Sequence, residues 1–376
     1  MDKSALKETV GAKSVCSHPV RVAMKCADRS TGEIYLGRVI EKDCGSRLAE
    51  RCPHCSEVYA RDAMSVFNGG VESGEVPVTH YTFITFTAPG SQVFGRTHQR
   101  VVKERKGKKP HVVRCSCKHT HREDDIRIGT PVNPDTYRYD LAAEFNAVSS
   151  RLLAITLQRL GRARGEKLDY ARVAEFQKRG LIHFHVLVKG TVLPELVREV
   201  VLGKSDDDDN VLSEPVAHNG WKWGEQVDVK VIDRDDKKQV GYYLLKLISY
   251  ALKGTDSSTN GPIDHRAQMQ KSALRGCSCE KGRDCARGSR YNAKTRSFYD
   301  GEMAHKFCRR HQLAYNGWGF RGHILAFSRG WGMTFKAVRQ RRRDYAKSFI
   351  KEPKTYVVIG WSVLPVEHSH GNRLRV

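Results

Sequence analysis

Two histidines separated by one residue lie in an apolar run that is typical of a β-strand. Residues i and i+2 of a strand point to the same face. His183 and His185 are therefore expected to project side by side, with Phe184 packing on the other face. Two neighbouring imidazoles can hold a divalent cation, although two ordinary histidines on a half-exposed strand are the simpler alternative.

The chain before these histidines favours the metal-binding alternative. A three-residue turn over 178–180, with Gly180 in the positive φ that such a loop needs, places Glu175 directly opposite His183. Cross-strand partners have Cβ atoms about 5 Å apart. One carboxylate and two imidazoles on one face predict a divalent-cation site with open coordination positions. Gln177 lies on the same face as Glu175 and is the alternative third ligand.

A later segment contains two Tyr-x-x-Lys units, Tyr243 with Lys246 and Tyr250 with Lys253. Their tyrosines are seven residues apart, so they return to within about 20° on a helix and share one side. A lysine beside a phenol can stabilise a developing phenolate or phosphate charge. The alternative is an amphipathic helix whose tyrosines only pack on a sheet. Tyr242 points about 100° away from Tyr243 and is a weaker candidate.

The cysteines cluster, and in a chain without a secretory signal such clusters predict metal sites rather than disulfides. The pair Cys52 and Cys55 has the spacing of a zinc knuckle. We expect a structural Zn²⁺ here with the ligands Cys16, Cys44, Cys52 and Cys55, and with Cys26 or His54 as alternates.

Two further cysteine groups have less regular spacing. The first is a candidate second zinc site made of Cys277, Cys279, Cys285 and Cys308, with His305 and His311 as substitutes. The other pairs Cys115 and Cys117 with His119 and His121 and carries the weaker signal.

The elements that must position these side chains follow from hydrophobic periodicity. Their order, β-α-β-β-α-β-α, contains the split β-α-β, ferredoxin-like arrangement: an α+β fold with an antiparallel sheet and helices on one face. The predicted strands are 81–87, 170–177, 181–188 and 226–232; the predicted helices are one running from Leu141 to Gly161, 194–202 and 240–253. Segments 103–109 and 203–210 are predicted to be solvated loops.

Composition divides the 376 residues into three regions. Residues 1–75 are rich in cysteine and show little strand signal, residues 76–256 hold the predicted core, and residues 257–376 combine cysteines with a basic tail. On a predicted helix after Met333, the candidate DNA-binding residues are Arg339, Arg341, Arg342, Arg343 and Lys347. Trp318, Phe320 and Trp331 nearby could stack on bases or belong to the core.

The net charge of +23 favours a polyanionic partner. No run of 18 apolar residues, lipidation motif or basic amphipathic anchor points to a membrane. The N-terminus lacks the apolar stretch of a secretory signal. We therefore expect a cytoplasmic protein whose partner is nucleic acid, with no membrane partner.

A His-hydrophobic-His strand followed by a Tyr-x-x-Lys helix resembles the HUH single-strand endonucleases, whose core is the same ferredoxin-like sheet. In conjugative relaxases the tyrosine comes before the histidines, whereas here it follows them, as in replication initiators and related transposases. Residues 16–345 resemble the rolling-circle replication initiators of actinobacterial, Streptomyces-type plasmids. The stretches that carry this resemblance are 16–22, 52–55 with Tyr59 and Asp62, 83–89, 173–185, 250–254 and 319–323.

The resemblance implies a bacterial replication initiator that nicks and rejoins one strand at the double-strand origin of a plasmid. Catalytic Mg²⁺ or Mn²⁺ would be held by the histidine pair and a third polar ligand. A tyrosine would attack the phosphate, giving a 5′-phosphotyrosine and a free 3′ hydroxyl. Tyr250 is favoured over Tyr243 because Lys253 and Gly254 continue the family pattern, although the family lacks the three-residue gap 247–249 found here.

The implied partners are origin DNA, single-stranded or in a hairpin, a host helicase and a host DNA polymerase. The chain has no Gly-x-x-x-x-Gly-Lys-Ser/Thr motif of its own. Two other functions remain open. One is a single-strand transposase with the same chemistry. The other is a non-enzymatic, zinc-dependent DNA-binding regulator, which would need neither the histidines nor the tyrosine.

Overall fold

A computed structural model describes residues 15–72, 78–105, 108–208, 210–252, 291–292, 297–298, 320, 322–348 and 356–363. The chain forms two compact units. The first joins Met1–Glu72 to Met333–Val376, and the second is Ser73–Gly332. The division into three regions stays a prediction, as does the zinc set Cys277, Cys279, Cys285 and Cys308, which lies outside the described residues.

The described residues form the following strands and helices, given in chain order. The strands are β1 (Val20–Asp28), β2 (Ile34–Lys42), β3 (His80–Phe86), β4 (Val101–Arg105), β5 (Lys108–Val113), β6 (Tyr170–Phe176), β7 (Ile182–Lys189), β8 (Lys204–Ser205), β9 (Val211–Ser213), β10 (Ala217–His218), β11 (Trp221–Lys222), β12 (Val227–Asp233), β13 (Tyr291–Asn292), β14 (Ser297–Phe298), β15 (Leu325–Phe327) and β16 (Tyr356–Val363). The helices are α1 (Pro53–Glu72), α2 (Ser91–Phe94), α3 (Tyr139–Ala163), α4 (Pro194–Leu202), α5 (Lys237–Leu252) and α6 (Phe335–Ser348).

The second unit is built on a five-stranded antiparallel sheet in the order β12-β3-β7-β6-β15. Its four main strands, with α3 and α4 as connections, follow the predicted β-α-β-β-α-β order. Each of these elements was predicted to within a few residues. The α+β class and the antiparallel sheet are confirmed.

Helices cover both faces of this sheet, whereas the sequence predicts helices on one face. Ile84 and Phe184 point to one face, where they form a core with α3 and α4. Successive side chains of a strand alternate. Phe83 therefore points to the other face, where its ring packs 4.5 Å from that of Tyr243 on α5. The helix with the candidate tyrosines thus covers the face opposite to α3 and α4.

Three further expectations of the sequence are wrong. The first region, read as poor in strands, contains β1 and β2, and β1 pairs with both β2 and β16 in a three-stranded antiparallel sheet. Segment 103–109, read as a loop, belongs largely to the β4–β5 hairpin. Polar residues interrupt the alternation in both places, and the backbone pairing of a distant strand, such as β16, leaves no local signal. The predicted loop 203–210 likewise contains β8 and is bounded by β9.

Helices α1 and α6 pack together in the first unit. The Asp62 carboxylate accepts a hydrogen bond from Arg342 Nη1 at 2.6 Å and from Arg339 Nε at 3.4 Å. Tyr59 and Phe335 stack with ring centroids 5.4 Å apart. Across the described residues, no helix combines the length and the apolar character that a membrane span needs.

Candidate active site

The β6–β7 hairpin has the register that the sequence predicts. Gln177 N–H donates to the carbonyl oxygen of Leu181 at 2.8 Å, and Gly180 N–H donates to that of Gln177 at 2.8 Å. Gly180 has φ +84°, a left-handed conformation that glycine adopts without strain. Glu175 therefore pairs directly with His183. The turn places one carboxylate and two imidazoles on the same face.

His185 is buried and hydrogen-bonded through both ring nitrogens. Its Nε2 lies 3.1 Å from Glu175 Oε2, and its Nδ1 lies 3.2 Å from Thr85 Oγ1. An ionised carboxylate only accepts, so Nε2 carries the proton here and the Thr85 hydroxyl donates to Nδ1. The same hydroxyl can accept from Nδ1–H in the other tautomer. That exchange would leave the Nε2 lone pair available to a cation without moving the ring.

His183 has a buried ring nitrogen that nothing in the described residues satisfies. Its Nε2 has no hydrogen-bond partner there. Burial, aided by His185, lowers the pKa of His183 to about 3, so the ring is neutral near pH 7. An unpaired buried polar group costs about 1–3 kcal/mol. A neutral imidazole kept in this state has the protonation that metal coordination requires.

In the observed conformation, the donor atoms of Glu175, His183 and His185 fit a divalent cation only in part. Neighbouring ligands of an octahedral ion, each at about 2.1 Å, are roughly 3 Å apart, and the Glu175–His185 spacing agrees with this. The His183 and His185 ring centroids are 6.0 Å apart. Within the described chain, the two groups whose donor atoms all lie within 4.8 Å of one another contain neither histidine. A full three-ligand site therefore needs a rotation of His183.

Gln177 is engaged elsewhere. Its Oε1 accepts a hydrogen bond from Arg179 Nε at 2.9 Å. Gln177, Lys178 and Arg179 together line part of a cleft of about 760 Å³. Between the two candidate third ligands, the geometry favours Glu175.

Tyr250 lies against His185. Its ring stacks on that of His185 with centroids 4.4 Å apart and planes 22° apart. Burial and the nearby Glu175 carboxylate raise the pKa of Tyr250 to about 12. The phenol is therefore protonated near pH 7, and a positive charge at the Glu175 position would favour its ionisation.

Tyr243 is a packing residue by comparison. It is 6% exposed, and its ring lies on Phe83, which in turn stacks on His185 with centroids 5.8 Å apart. Tyr242 is exposed. The two same-face tyrosines thus differ: Tyr250 contacts the His185 ring directly, and Phe83 lies between Tyr243 and that ring.

The ammonium group of Lys246 lies near all four rings of this aromatic group. Lys246 Nζ lies 5.8 to 5.9 Å from the ring centroids of Phe83, Tyr242, Tyr243 and Tyr250. Lys253, the lysine expected beside Tyr250, lies outside the described residues. Sequence reasoning missed Thr85 and Phe83, and only the β3–β7 register, which pairs Thr85 with His185, would have revealed them.

The N-terminal cysteines converge as predicted. Cys16, Cys44, Cys52 and Cys55 each offer a sulfur, all within 4.8 Å of one another. The Sγ of Cys55 lies 3.6 Å from those of Cys16 and Cys44. Four sulfurs arranged tetrahedrally around zinc at about 2.3 Å are roughly 3.8 Å apart. The alternates Cys26 and His54 are not in this cluster, and His54 faces Asp43 at 3.7 Å.

The basic residues of α6 divide into two groups. All four arginines are exposed, but Arg339 and Arg342 also contact the Asp62 carboxylate, and Arg343 donates instead to Gln340 Oε1 on its own helix. The side chain of Lys347 lies outside the described residues. Of the aromatic residues considered for base stacking, Phe320 and Trp331 are buried. They belong to the core, and Trp318 lies outside the described part.

The fold and the site define a basic α+β protein with a histidine pair, a carboxylate and a stacked tyrosine on one sheet face. The profile of the RepSA family, described as "Replication initiator protein, pSAM2", matches residues 2–373. The chain belongs to this family of replication initiators. It is also 27% identical to a replication initiator protein of Streptomyces ambofaciens over 405 aligned positions, covering 92% of this chain and 82% of the relative. No solved structure matches.

Proposed function

We propose that this replication initiator is an HUH-type endonuclease and strand transferase that starts rolling-circle replication of a plasmid. The observation that carries this proposal is the stack of Tyr250 on His185, with Glu175 at 3.1 Å from the same imidazole. A nucleophile and a set of metal donors thereby share one site. The family membership supports the initiator role over the transposase and regulator alternatives.

Each residue has a defined part in the proposed reaction. His183, His185 and Glu175 would hold Mg²⁺ or Mn²⁺, whose positive charge would polarise the scissile phosphate. The Tyr250 oxygen attacks phosphorus and releases its proton. The P–O3′ bond breaks, and the departing oxygen takes a proton to become a 3′ hydroxyl. Lys246, whose ammonium lies 5.9 Å from the Tyr250 ring centroid, favours the negative charge that develops.

The partners follow from this chemistry. Origin DNA, single-stranded or in a hairpin, is the substrate. A host polymerase would extend the 3′ end, and a host helicase would unwind the duplex. We further propose that Cys16, Cys44, Cys52 and Cys55 hold a structural zinc, because their spacing agrees with a tetrahedral ion.

The test is covalent capture of labelled origin single strands with Mg²⁺ or Mn²⁺ on denaturing gels. Tyr250→Phe removes only the attacking oxygen, so we expect DNA binding to persist and the adduct to fall by at least about 100-fold. Tyr243→Phe is the matched control on the same helix and should keep most of the first nick. Peptide mass spectrometry that finds the nucleotide on Tyr243 would reverse the assignment.

Two variants of the hairpin test the metal ligands in the same assay. Glu175→Gln should raise the Mn²⁺ concentration needed for half-maximal adduct about tenfold or more, since loss of even an outer-shell partner of a metal ligand lowers metal affinity by about 10–100-fold. Gln177→Ala should change it little because Gln177 faces Arg179. Unchanged Mn²⁺ dependence in Glu175→Gln would remove Glu175 from the site.

A further inference from the structure

A third group of potential metal ligands lies in the segment between α2 and α3. His98, Cys115, Cys117 and His121 each offer one ligand atom, and the four atoms lie within 4.8 Å of one another. The sequence predicts His119 in this group. The structure places His119 at the surface and His98, 17 residues before Cys115, in its place.

The hydrogen bond between His121 and Asp125 determines which ring nitrogen of His121 is unprotonated, and that nitrogen faces this group. His121 Nδ1 lies 2.7 Å from Asp125 Oδ2, and a carboxylate only accepts, so Nδ1 carries the proton. Nε2 is then an acceptor. It faces His98 Nδ1 at 3.3 Å and Cys117 Sγ at 3.1 Å.

The spacing and the donor types suit zinc. Two imidazole nitrogens bound tetrahedrally at about 2.05 Å are roughly 3.3 Å apart. The carboxylate on the remote nitrogen of His121 is the arrangement that orients metal-bound histidines. Asp125 is itself fixed by Arg127, whose Nη2 donates at 2.8 Å.

The backbone conformation around Cys115 and Cys117 also favours the convergence of their sulfur atoms. Gln99 N–H points to Cys115 Sγ at 3.3 Å. Lys118 N–H donates to the carbonyl oxygen of Cys115 at 2.8 Å, and Lys118 has φ +69°. A non-glycine residue in this conformation costs of order 1–3 kcal/mol and persists only where its surroundings hold it. This tight turn brings the Cys115 and Cys117 sulfurs to one side.

We propose that His98, Cys115, Cys117 and His121 hold a structural zinc ion. Two thiolates balance its charge, and four protein ligands leave no open position for a substrate. The site is separate in sequence from the histidine pair and does not depend on the proposed nicking activity.

The ion would fix the segment that lines one side of the cleft beside the β6–β7 hairpin. His98 N–H donates to the carbonyl oxygen of Thr130 at 2.8 Å, and Gly129 N–H donates to that of His98 at 2.8 Å. Lys178 Nζ, on the β6–β7 turn, donates to the carbonyl oxygen of Ile126 at 3.3 Å. The zinc-held segment thus contacts the turn that sets Glu175 opposite His183.

The test counts zinc in full-length protein by elemental mass spectrometry. Cys115→Ser with Cys117→Ser should lose one equivalent relative to the wild type. His119→Ala, which changes an exposed imidazole in the same turn, should lose none. Cys52→Ser with Cys55→Ser should lose a different equivalent, so that the losses add when all four changes are combined.

A second measurement on the wild-type protein keeps the proposal testable if the double variant does not fold. Cys117 is half-buried, so a free thiol there should react with N-ethylmaleimide under native conditions. Zinc binding predicts protection, lost when a zinc chelator is added. Full alkylation of Cys117 without chelator, or an unchanged zinc count in the soluble double variant, would overturn the proposal. Neither readout uses DNA, so failure here is distinct from failure of the nicking proposal.

Discussion

Among the histidines that the structure describes, His183 has the pKa that departs furthest from the ordinary value. Its imidazole is buried and neutral, and the pKa is lowered to about 3. In the unfolded chain the same ring takes up a proton near pH 6.5. The unfolded state therefore binds more protons below that pH, and stability falls as the pH falls.

This difference predicts how stability changes with acid. Without added divalent cation, the free energy of unfolding should decrease between about pH 6.5 and pH 3, with His183 contributing up to about 1.4 kcal/mol per pH unit. His183→Asn has no titrating ring and should show a shallower decrease. Urea midpoints at several pH values check this, and equal slopes for the two proteins would contradict a buried neutral His183.

At the scale of elements, the β6–β7 turn determines which side chains meet. Gly180 has φ +84°, where an L side chain is disfavoured by about 1–2 kcal/mol. Gly180→Ala should lower the free energy of unfolding by about 1 kcal/mol and also lower adduct formation, because strain in the turn moves Glu175 relative to the histidines. Chemical denaturation and the adduct assay measure the two effects.

Gly241 provides a matched control for this change. It lies in α5, and an added Cβ there meets nothing within 4 Å. Gly241→Ala should therefore leave the adduct unchanged and raise the free energy of unfolding by about 0.5–1 kcal/mol, since alanine favours a helix. A stability loss at both glycines would mean that the turn has no special role.

The turn also shows how far sequence reasoning reaches. The spacing of Glu175, Gly180 and His183 gives the register because a hairpin is local, and periodicity gives α3, α4 and α5 for the same reason. Contacts between distant segments determine three other features. These are the face on which α5 lies, the pairing of Thr85 with His185, and the position of His98 beside Cys115, Cys117 and His121. No local pattern encodes such contacts.

At the scale of the whole molecule, the charge of +23 is the property that favours DNA, but the basic residues are not equivalent. On α6, Arg339 and Arg342 bind the Asp62 carboxylate, which is buried in the first unit. Their first role is to join α6 to α1. Arg341 and Arg343 project from the same helix and are exposed.

The salt dependence of DNA binding separates these two groups. Each phosphate contact contributes about 0.7 to 0.9 to the slope of log K against log salt concentration. If Arg341 and Arg343 contact phosphates, Arg341→Ala with Arg343→Ala should reduce the slope by roughly 1.4–1.8 and leave the unfolding midpoint nearly unchanged. Arg342→Ala should instead lower stability by about 1.5–3 kcal/mol, the value of a charged hydrogen bond, with a smaller change in slope. Fluorescence anisotropy between 50 and 300 mM salt, together with thermal denaturation, measures both quantities. An unchanged slope in the Arg341 and Arg343 double variant would mean that the phosphate contacts lie elsewhere on the basic surface.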